Sequence, residues 1–344
     1  TYYYQAQDGG PLRTGVYKCD AKGKVTSIST EPGQNSAIFS GNFKQLMLTH
    51  HSAATPPTYT LRNDKGKVQK TLQDNAALKQ KIDGMNLAKI EFFQFQTQDG
   101  VDLNGIMVKP ADFDANKKYP VILYQYSGPG SQQVLDSWYA GNCSAALLER
   151  YMAQEGFVSV IVDGRGTGGR GAEFEKQTYM KLGQLESHDQ VETAIYLSKL
   201  PWVDAKHIGI WGWSFGGFNT LMSMSEGRPV FYAGVAVAPP TSWRYYDTVY
   251  TERFMRTPKE NQEGYDCSPI TRAKNLSGSL LIIHGLADDN VHFRNVAEYT
   301  EALVHADKDF RQLTYTNRNH SIYGGNTRNH LYRQLINHFK DSMK

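Results

Sequence analysis

The sequence predicts an α/β protein with a doubly wound, mostly parallel sheet, preceded by a short all-β segment. From about Glu91 onward, apolar runs of strand length alternate with helical patterns, as they do in doubly wound sheets. Residues 1–75 differ, because they are rich in Tyr, Thr, Val and Ile, contain frequent turn residues and show almost no helical periodicity. Near the middle of the chain, a Gly-x-Ser-x-Gly segment stands between a strand pattern and a helical pattern.

The composition is that of a globular protein and gives little support to several classes of partner. At 344 residues the chain suits one large domain plus a smaller piece. Its net charge of +3 is nearly neutral and no basic run is interleaved with aromatic residues, which argues against nucleic-acid or membrane-surface binding. No stretch has the apolar length that crosses a bilayer. Cys19, Cys143 and Cys267 lie far apart in no metal or redox spacing, so we expect neither a metal nor a cofactor.

The first part of the chain contains a short repeat. Lys22-Gly23-Lys24-Val25 recurs as Lys65-Gly66-Lys67-Val68, 43 positions later, and each copy lies between strand-like segments. This spacing is close to the 40–45 residues or so of a four-stranded propeller blade, although a coincidental hairpin motif is the alternative. We therefore expect residues 1–85 to be the C-terminal remnant of a β-propeller, about two blades, and residues 86–344 to be a complete second domain. Because the sequence starts at Thr1 without Met or a signal segment, we also expect that it has been truncated.

The second domain contains eight predicted strands. The first two form a hairpin around Asp99-Gly100, and a capping box of Ser187 and Gln190 begins a helix that ends before Pro201. Leu331, Leu335 and Phe339 form the apolar stripe of the last helix. The predicted strands are Phe92–Phe95, Leu103–Val108, Pro120–Tyr126, Val158–Asp163, His207–Trp211, Tyr232–Ala238, Leu280–His284 and Arg311–Thr316.

The Gly-x-Ser-x-Gly segment, Gly212–Gly217, has the context of a nucleophile elbow. It follows a strand and precedes a helix that begins near Phe218, which is the arrangement found in the α/β-hydrolase fold. The sharp turn forces the serine into strained dihedral angles, and glycines at the flanking positions leave room for the crossing backbone. Ser214 is therefore the candidate nucleophile.

A serine nucleophile requires a base and an acid, which follow it in the order Asp, His in this fold. Asp288 and Asp289 come just after the strand Leu280–His284, and Asp288 ranks first because the sheet holds the first loop residues most rigidly. His320 follows the strand Arg311–Thr316 on a loop and is the candidate base. Four other histidines are placed in a strand or on helices: His284, His305, His330 and His338.

Two further features surround the candidate nucleophile. The backbone N–H of Phe215 is one candidate oxyanion donor, and the phenolic O–H of Tyr126 is a second, unless that ring only packs on the core. Trp243, Tyr246 and Tyr250 are spaced as one face of a helix. Such a stripe is commonly core, but a flat aromatic pocket for a rigid apolar ring such as proline is the alternative.

The segment Asp163–Gly171 contains Gly-x-Gly-x-x-Gly after a strand, with Glu186 twenty positions beyond Gly166. In a dinucleotide site the acid stands at the tip of the next strand, whereas here it opens a helix. We interpret the segment as a tight loop.

Taken together, these motifs resemble those of dipeptidyl peptidase IV and its bacterial prolyl tripeptidyl relatives. The resemblance rests on Leu123–Pro129, Asp163–Gly166, Gly212–Gly217, Trp243–Asp247 with Tyr250–Arg253, and His284–Phe293. It implies a secreted, periplasmic or cell-envelope exopeptidase that releases di- or tripeptides after proline through Ser214, Asp288 and His320, with Tyr126 as the oxyanion hydroxyl. It also implies a homodimer. The implied substrate-binding residues are Trp213, Phe215, Pro240, Trp243, Tyr246, Tyr250, Asn290 and Val291.

The sequence departs from this family in two ways. Phe215 and Pro240 stand where related enzymes often carry tyrosine and valine. The family's paired glutamates and its propeller arginine, which bind the substrate's amine, are expected before Thr1. Two alternatives remain at this stage: an acylaminoacyl peptidase or esterase with the same triad, and a non-catalytic scaffold of the same fold.

Overall fold

The computed structural model describes residues 1–29 and 31–343, and it divides into two compact units. The first unit comprises Thr1–Ile90 together with Val134–Tyr151, and the second comprises Glu91–Gln133 together with the chain from Met152 onward. The sequence places the domain boundary after residue 85, whereas the first unit of the structure extends to Ile90. The first unit also includes the later segment Val134–Tyr151.

The described residues form strands and helices in the following order. The strands are β1 (Tyr2–Gln7), β2 (Thr14–Cys19), β3 (Val25–Ser27), β4 (Gln34–Phe39), β5 (Gln45–Ser52), β6 (Thr55–Asn63), β7 (Val68–Gln73), β8 (Ile90–Gln96), β9 (Asp102–Val108), β10 (Tyr119–Tyr124), β11 (Val158–Asp163), β12 (Val203–Trp213), β13 (Ala233–Val237), β14 (Ser279–Gly285) and β15 (Arg311–Tyr315). The α-helices are α1 (Ala76–Asp83), α2 (Leu147–Gln154), α3 (Ala172–Glu175), α4 (Gln184–Ser198), α5 (Phe215–Met224), α6 (Thr248–Met255), α7 (Gln262–Asp266), α8 (Arg294–His305) and α9 (Thr327–Ser342).

The first unit contains two antiparallel sheets, β1-β2-β3 and β4-β5-β6-β7. Both copies of the Lys-Gly-Lys-Val motif form the same tight turn. In the first copy, Asp20 Oδ1 accepts two following backbone N–H groups at 2.8 and 3.0 Å, and Asn63 Oδ1 does the same in the second copy at 3.0 Å. Gly23 and Gly66 have φ angles of 81° and 82°, a left-handed conformation that favours glycine. The sequence repeat is therefore also a repeat of backbone structure.

The second unit contains one eight-stranded sheet in the order β15-β14-β13-β12-β10-β11-β9-β8. β10 to β15 pair in parallel, whereas β9 runs antiparallel to β11, so the predicted mostly parallel sheet is confirmed. Each of the eight predicted strands is present. Helix α5 packs on β12 and β13, α4 packs on α5, and α9 packs on β13 and β14. The apolar stripe Leu331, Leu335 and Phe339 of α9 is fully buried.

The predicted start of helix α4 was wrong. The helix begins at Gln184, one turn before the expected capping box, and Ser187 and Gln190 lie inside it. Gly183 is the N-cap instead, and its N–H donates to Glu186 Oε2 at 2.9 Å. Gly183 can cap the helix because its φ of 88° is accessible to glycine, while the Ser187 hydroxyl donates back to the Gly183 carbonyl at 2.6 Å.

Candidate active site

Ser214 lies in a strained turn between β12 and α5. Its φ and ψ are 59° and −120°, and its N–H donates to the Val237 carbonyl at 2.8 Å. The flanking glycines leave space for crossing backbone. A Cβ at Gly212 would lie 2.6 Å from the Gln125 carbonyl oxygen, and one at Gly217 would lie 2.7 Å from that of Val237. The chain therefore forms the sharp strand-to-helix turn that the glycine pattern predicts, with the serine at its apex.

Tyr126 follows β10 and contacts the candidate nucleophile. Burial raises the pKa of the Tyr126 phenol, and its hydrogen bond with Ser214 only partly offsets this, so the phenol is protonated near neutral pH. A protonated phenol is a hydrogen-bond donor. The centre of the Tyr126 ring lies 6.1 Å from that of the Phe215 ring. Tyr126 therefore packs on Phe215 and also presents its hydroxyl to Ser214.

Gln125 fixes the Tyr126 loop to the elbow, a role that the sequence did not reveal. Its side chain is fully buried, and Nε2 donates to the Gly216 carbonyl at 2.7 Å and to Thr220 Oγ1 at 3.1 Å. The hydroxyl of Ser127, a residue with a φ of 66°, donates to Gln125 Oε1 at 2.9 Å. Only the position of Gln125 at the carboxyl end of a buried strand hinted at such a function.

Asp288 and His320 form a hydrogen-bonded pair. Asp288 Oδ2 lies 2.8 Å from His320 Nδ1, and Oδ1 accepts the backbone N–H groups of Asn290 and Val291 at 3.0 and 2.9 Å. Burial alone would raise the pKa of Asp288, but the hydrogen bonds from His284 and His320 outweigh it and hold the pKa well below its usual range. Asp288 is therefore ionised and orients the imidazole.

A second histidine, His284, contacts the same carboxylate. This fully buried side chain lies on β14, as the sequence predicts, with Nε2 2.8 Å from the Val291 carbonyl and 3.3 Å from Asp288 Oδ2. Because a carbonyl oxygen can only accept, Nε2 carries the proton. His284 thus contacts Oδ2, the oxygen that also binds His320, whereas the backbone donors bind Oδ1. From the sequence alone, a histidine in a buried strand is expected to be a core residue. The one sequence feature that indicates this contact is the position of His284 one residue before the end of β14.

The aromatic stripe does not lie on one helix, and that prediction was wrong. Trp243 begins a short 3₁₀ turn, Trp243–Tyr245, and α6 starts only at Thr248, because Asp247 caps it by accepting the Tyr250 N–H at 2.8 Å. The three rings nevertheless meet, with centres 5.9 Å apart for Trp243 and Tyr246, 5.8 Å for Trp243 and Tyr250, and 5.4 Å for Tyr246 and Tyr250. Trp243 is buried while the two tyrosines are half-buried. The cluster is therefore covered on the Trp243 side and partly accessible to solvent on the side of Tyr246 and Tyr250.

The remaining expected substrate-binding residues have different surroundings. Asn290 is exposed and accepts a hydrogen bond from the Tyr246 hydroxyl at 2.9 Å. Phe215, Pro240 and Val291 are buried. Trp213 instead donates its indole N–H to the His320 carbonyl at 3.0 Å.

The segment Asp163–Gly171 forms a loop held by ion pairs. The buried Arg165 guanidinium binds Asp189 at 2.5 Å and Asp99 at 2.8 Å, and the Arg165 N–H donates to Asp189 Oδ2 at 2.6 Å. Residues 1–29 and 31–343 contain no cluster of His, Cys, Asp and Glu suited to a metal ion, and Cys19, Cys143 and Cys267 form no disulfide among them. Within the same residues, no helix has both the length and the apolar character needed to span a membrane.

Comparison with known proteins identifies the family. The model of the prolyl oligopeptidase family matches residues 145–344, more than half of the chain. The chain belongs to the prolyl oligopeptidase family. This membership accounts for the α/β-hydrolase sheet, for the antiparallel propeller strands before it, and for the elbow at Ser214.

Individual relatives of this family cover almost the whole chain. A probable dipeptidyl peptidase 4 of Aspergillus flavus is 37% identical over 87% of the chain, and a probable dipeptidyl-aminopeptidase B of Pyrenophora teres is 36% identical over 97%. The crystal structure of Porphyromonas gingivalis dipeptidyl peptidase 4 superposes with a TM-score of 0.95 at 49% identity over 99% of the chain. The chain spans 39% and 37% of the two fungal proteins and 48% of the crystallised one. The resemblance to dipeptidyl peptidase IV is thereby confirmed.

Proposed function

We propose that this chain carries the chemistry of a serine exopeptidase that cleaves after proline near the N-terminus of its substrate. The observation that carries the proposal is the arrangement of a strained Ser214 beside the Tyr126 hydroxyl, together with an Asp288–His320 pair at 2.8 Å. The similarity to proteins named dipeptidyl peptidases favours release of dipeptides over tripeptides.

The proposed reaction begins at Ser214. Its Oγ attacks the carbonyl carbon after proline while His320 takes the hydroxyl proton, and Asp288 holds the imidazole in the tautomer that can accept it. Negative charge develops on the carbonyl oxygen, which receives hydrogen bonds from the Tyr126 O–H and the Phe215 N–H. Phe215 is the first residue of α5, where the backbone N–H has no partner within the helix. The C–N bond then breaks, and the leaving amine takes the proton from His320.

The second half of the reaction regenerates the serine. A water molecule gives a proton to His320 and attacks the acyl-enzyme, and the serine leaves with that proton as the peptide acid is released. The half-buried faces of Tyr246 and Tyr250, on the floor formed by Trp243, suit the flat ring of proline in this site. Asn290, held by Tyr246, is suited to a substrate carbonyl.

The rest of the proposal concerns the whole protein. Residues 1–85 are assigned as about two blades of a β-propeller, on the basis of a turn that occurs twice, 43 residues apart. By the family resemblance, recognition of the substrate's amine lies outside the described site, the protein is secreted, periplasmic or bound to the cell envelope, and it forms a dimer. Cell fractionation tests the location, and analytical ultracentrifugation tests the dimer.

Turnover of chromogenic Gly-Pro and Ala-Ala-Pro substrates tests the activity, with the Ser214→Ala variant as control. We expect proline-dependent turnover that Ser214→Ala abolishes, leaving only slow residual hydrolysis. Equal cleavage of N-blocked substrates and simple esters would favour an acylaminoacyl peptidase or esterase. Failure of a fluorophosphonate probe to label Ser214 would favour a non-catalytic scaffold.

A further inference from the structure

The loop that carries His320 is held by three side-chain hydrogen bonds in succession. The His320 carbonyl accepts the indole N–H of Trp213 at 3.0 Å. The next two carbonyls, of Ser321 and Ile322, both accept hydrogen bonds from the guanidinium of Arg328, the latter at 3.4 Å. Consecutive carbonyls of an irregular loop are thus fixed by two side chains, one from the end of β12 and one from α9.

The two side chains that hold this loop also contact each other. The Arg328 guanidinium lies over the Trp213 ring, with its central carbon 4.6 Å from the ring centre, a distance at which a cation and an indole attract. A further Arg328 nitrogen donates to the Tyr332 hydroxyl at 3.2 Å on the same helix. The guanidinium of Arg328 is therefore held in one orientation, because all of these contacts are made by the same planar group.

The backbone next to His320 is strained, which explains why the loop requires such support. Ile322 has a φ of 43°, a conformation that is unusual for a β-branched residue. Its side chain is fully buried, and its N–H donates to the Asn319 carbonyl at 3.1 Å. Strained conformations of this kind persist only where surrounding contacts determine them strongly, and the hydrogen bond from Arg328 to the Ile322 carbonyl is one such contact.

We infer that Trp213 and Arg328 are positioning residues that set the place of His320 relative to Ser214. Trp213 directly precedes Ser214, so one indole connects the turn of the nucleophile with the loop of the base. Arg328 fixes the same loop on its other side. This inference rests on the proposed function, and it gives Trp213 a role other than the substrate contact implied by resemblance. Neither residue is assigned contact with the reacting atoms.

Four variants test the inference. Arg328→Met keeps much of the side-chain volume but removes the charge and both carbonyl contacts, whereas Arg328→Lys keeps a cation that can donate to one carbonyl. Trp213→Phe keeps an aromatic face and removes the indole donor. Arg333→Met is the matched control, because Arg333 is an exposed arginine on the same helix. Each kcat for a Gly-Pro chromogenic substrate is divided by the number of sites labelled to completion by a fluorophosphonate, so that unfolded protein does not lower the value.

We expect Arg328→Met to lower the normalised kcat by about 10- to 100-fold with little change in KM, since small displacements of a catalytic group have effects of this size. Trp213→Phe should show a smaller loss of the same kind, Arg328→Lys should recover part of the rate, and Arg333→Met should match wild type. A kcat within twofold of wild type for both Arg328→Met and Trp213→Phe would overturn the inference, even if their melting temperatures fall. If Arg328→Met does not fold, Trp213→Phe decides alone. Wild-type protein without Ser214-dependent turnover would overturn the proposed function, and this inference with it.

Discussion

Replacement of Asp288 by Asn tests the acid of the proposed triad with minimal change in shape. Asp288 Oδ1 accepts two backbone N–H groups, at 3.0 and 2.9 Å, so in the Asp288→Asn variant the amide oxygen should keep that place. The amide NH₂ then faces His320 Nδ1, which has to become an acceptor. His320 would carry its proton on Nε2 and could no longer take the proton of Ser214.

The magnitude of this effect follows from the loss of the imidazole tautomer that can accept the serine proton. In other serine triads the equivalent tautomer reversal lowers kcat by about 10⁴-fold, which corresponds to about 5 kcal/mol of transition-state stabilisation. We expect a similar loss in kcat with Gly-Pro chromogenic substrates and little change in KM. The backbone contacts of Oδ1 are retained, but the amide NH₂ also faces the Nε2–H of His284, which donates to Oδ2 in the wild type, so the melting temperature should fall as well.

The neighbouring Asp289 provides the control for this experiment. Asp289 is exposed, so Asp289→Asn should leave kcat within about twofold of wild type, as surface substitutions usually do. Equal losses in the two variants would indicate a general effect of charge near His320 instead of a tautomer effect. A near-wild-type kcat in Asp288→Asn would show that Asp288 does not set the tautomer of His320.

Three other predictions concern the hydroxyl at the nucleophile, a buried ion pair and a buried carboxyl group. Tyr126→Phe removes the hydroxyl that contacts Ser214, and steady-state kinetics should show a kcat about 10²–10³-fold lower at similar KM; an unchanged kcat would remove Tyr126 from the oxyanion site. Arg165→Met leaves the fully buried Asp189 carboxylate without its cation, and urea unfolding should show a loss of about 3–5 kcal/mol; a loss below about 1 kcal/mol would contradict the assigned ion pair. Burial raises the pKa of Glu149 to about 7, although a backbone hydrogen bond opposes it, so the folded state holds a proton that the unfolded chain releases near 4.5. That contribution is complete below pH 4.5 and is lost as pH rises through 7, by about 3 kcal/mol in total, so stability measured against pH should fall less steeply in Glu149→Gln than in wild type; parallel curves would contradict it.

The strands of the second unit were predictable because their residues carry a local signal. Val158–Asp163 is entirely buried, and a predominantly apolar run without polar alternation is the pattern of a strand covered on both faces. The helix starts that were predicted wrongly depended on competition between neighbouring N-cap residues. At helix α4, Gly183 is the N-cap and Glu186 accepts its N–H, one turn before Ser187 and Gln190, and a glycine N-cap is the weaker sequence signal. At the aromatic stripe, Asp247 started a new helix between Tyr246 and Tyr250.

The same distinction applies to the candidate site: some of its residues were predictable from local sequence patterns, and others were not. Tyr126, Ser214, Asp288 and His320 each follow one of the parallel strands of a single sheet, namely β10, β12, β14 and β15, so their convergence at one edge follows from strand order and direction. The residues that support them carry no such signal. A histidine in a buried strand resembles other core residues in the sequence, and only the fold shows that His284 approaches the acid at 3.3 Å.

Arg328 shows most clearly why the supporting residues lie beyond sequence reasoning. In the sequence it is one of several cations on an amphipathic helix, and such residues usually face solvent. The positioning role that we infer for Arg328 depends on Trp213, whose indole also donates to the His320 carbonyl although Trp213 and His320 are 107 positions apart in the chain. It depends as well on a left-handed isoleucine that no pattern predicts. A sequence can therefore indicate the candidate catalytic groups, because their order and their positions after strands are visible in it. The exact positions of these groups depend on contacts between residues that are distant in the chain, and these contacts exist only after folding. If the expected losses of kcat in Arg328→Met and Trp213→Phe are observed, this second class of residue contributes to the rate as directly as the geometry suggests.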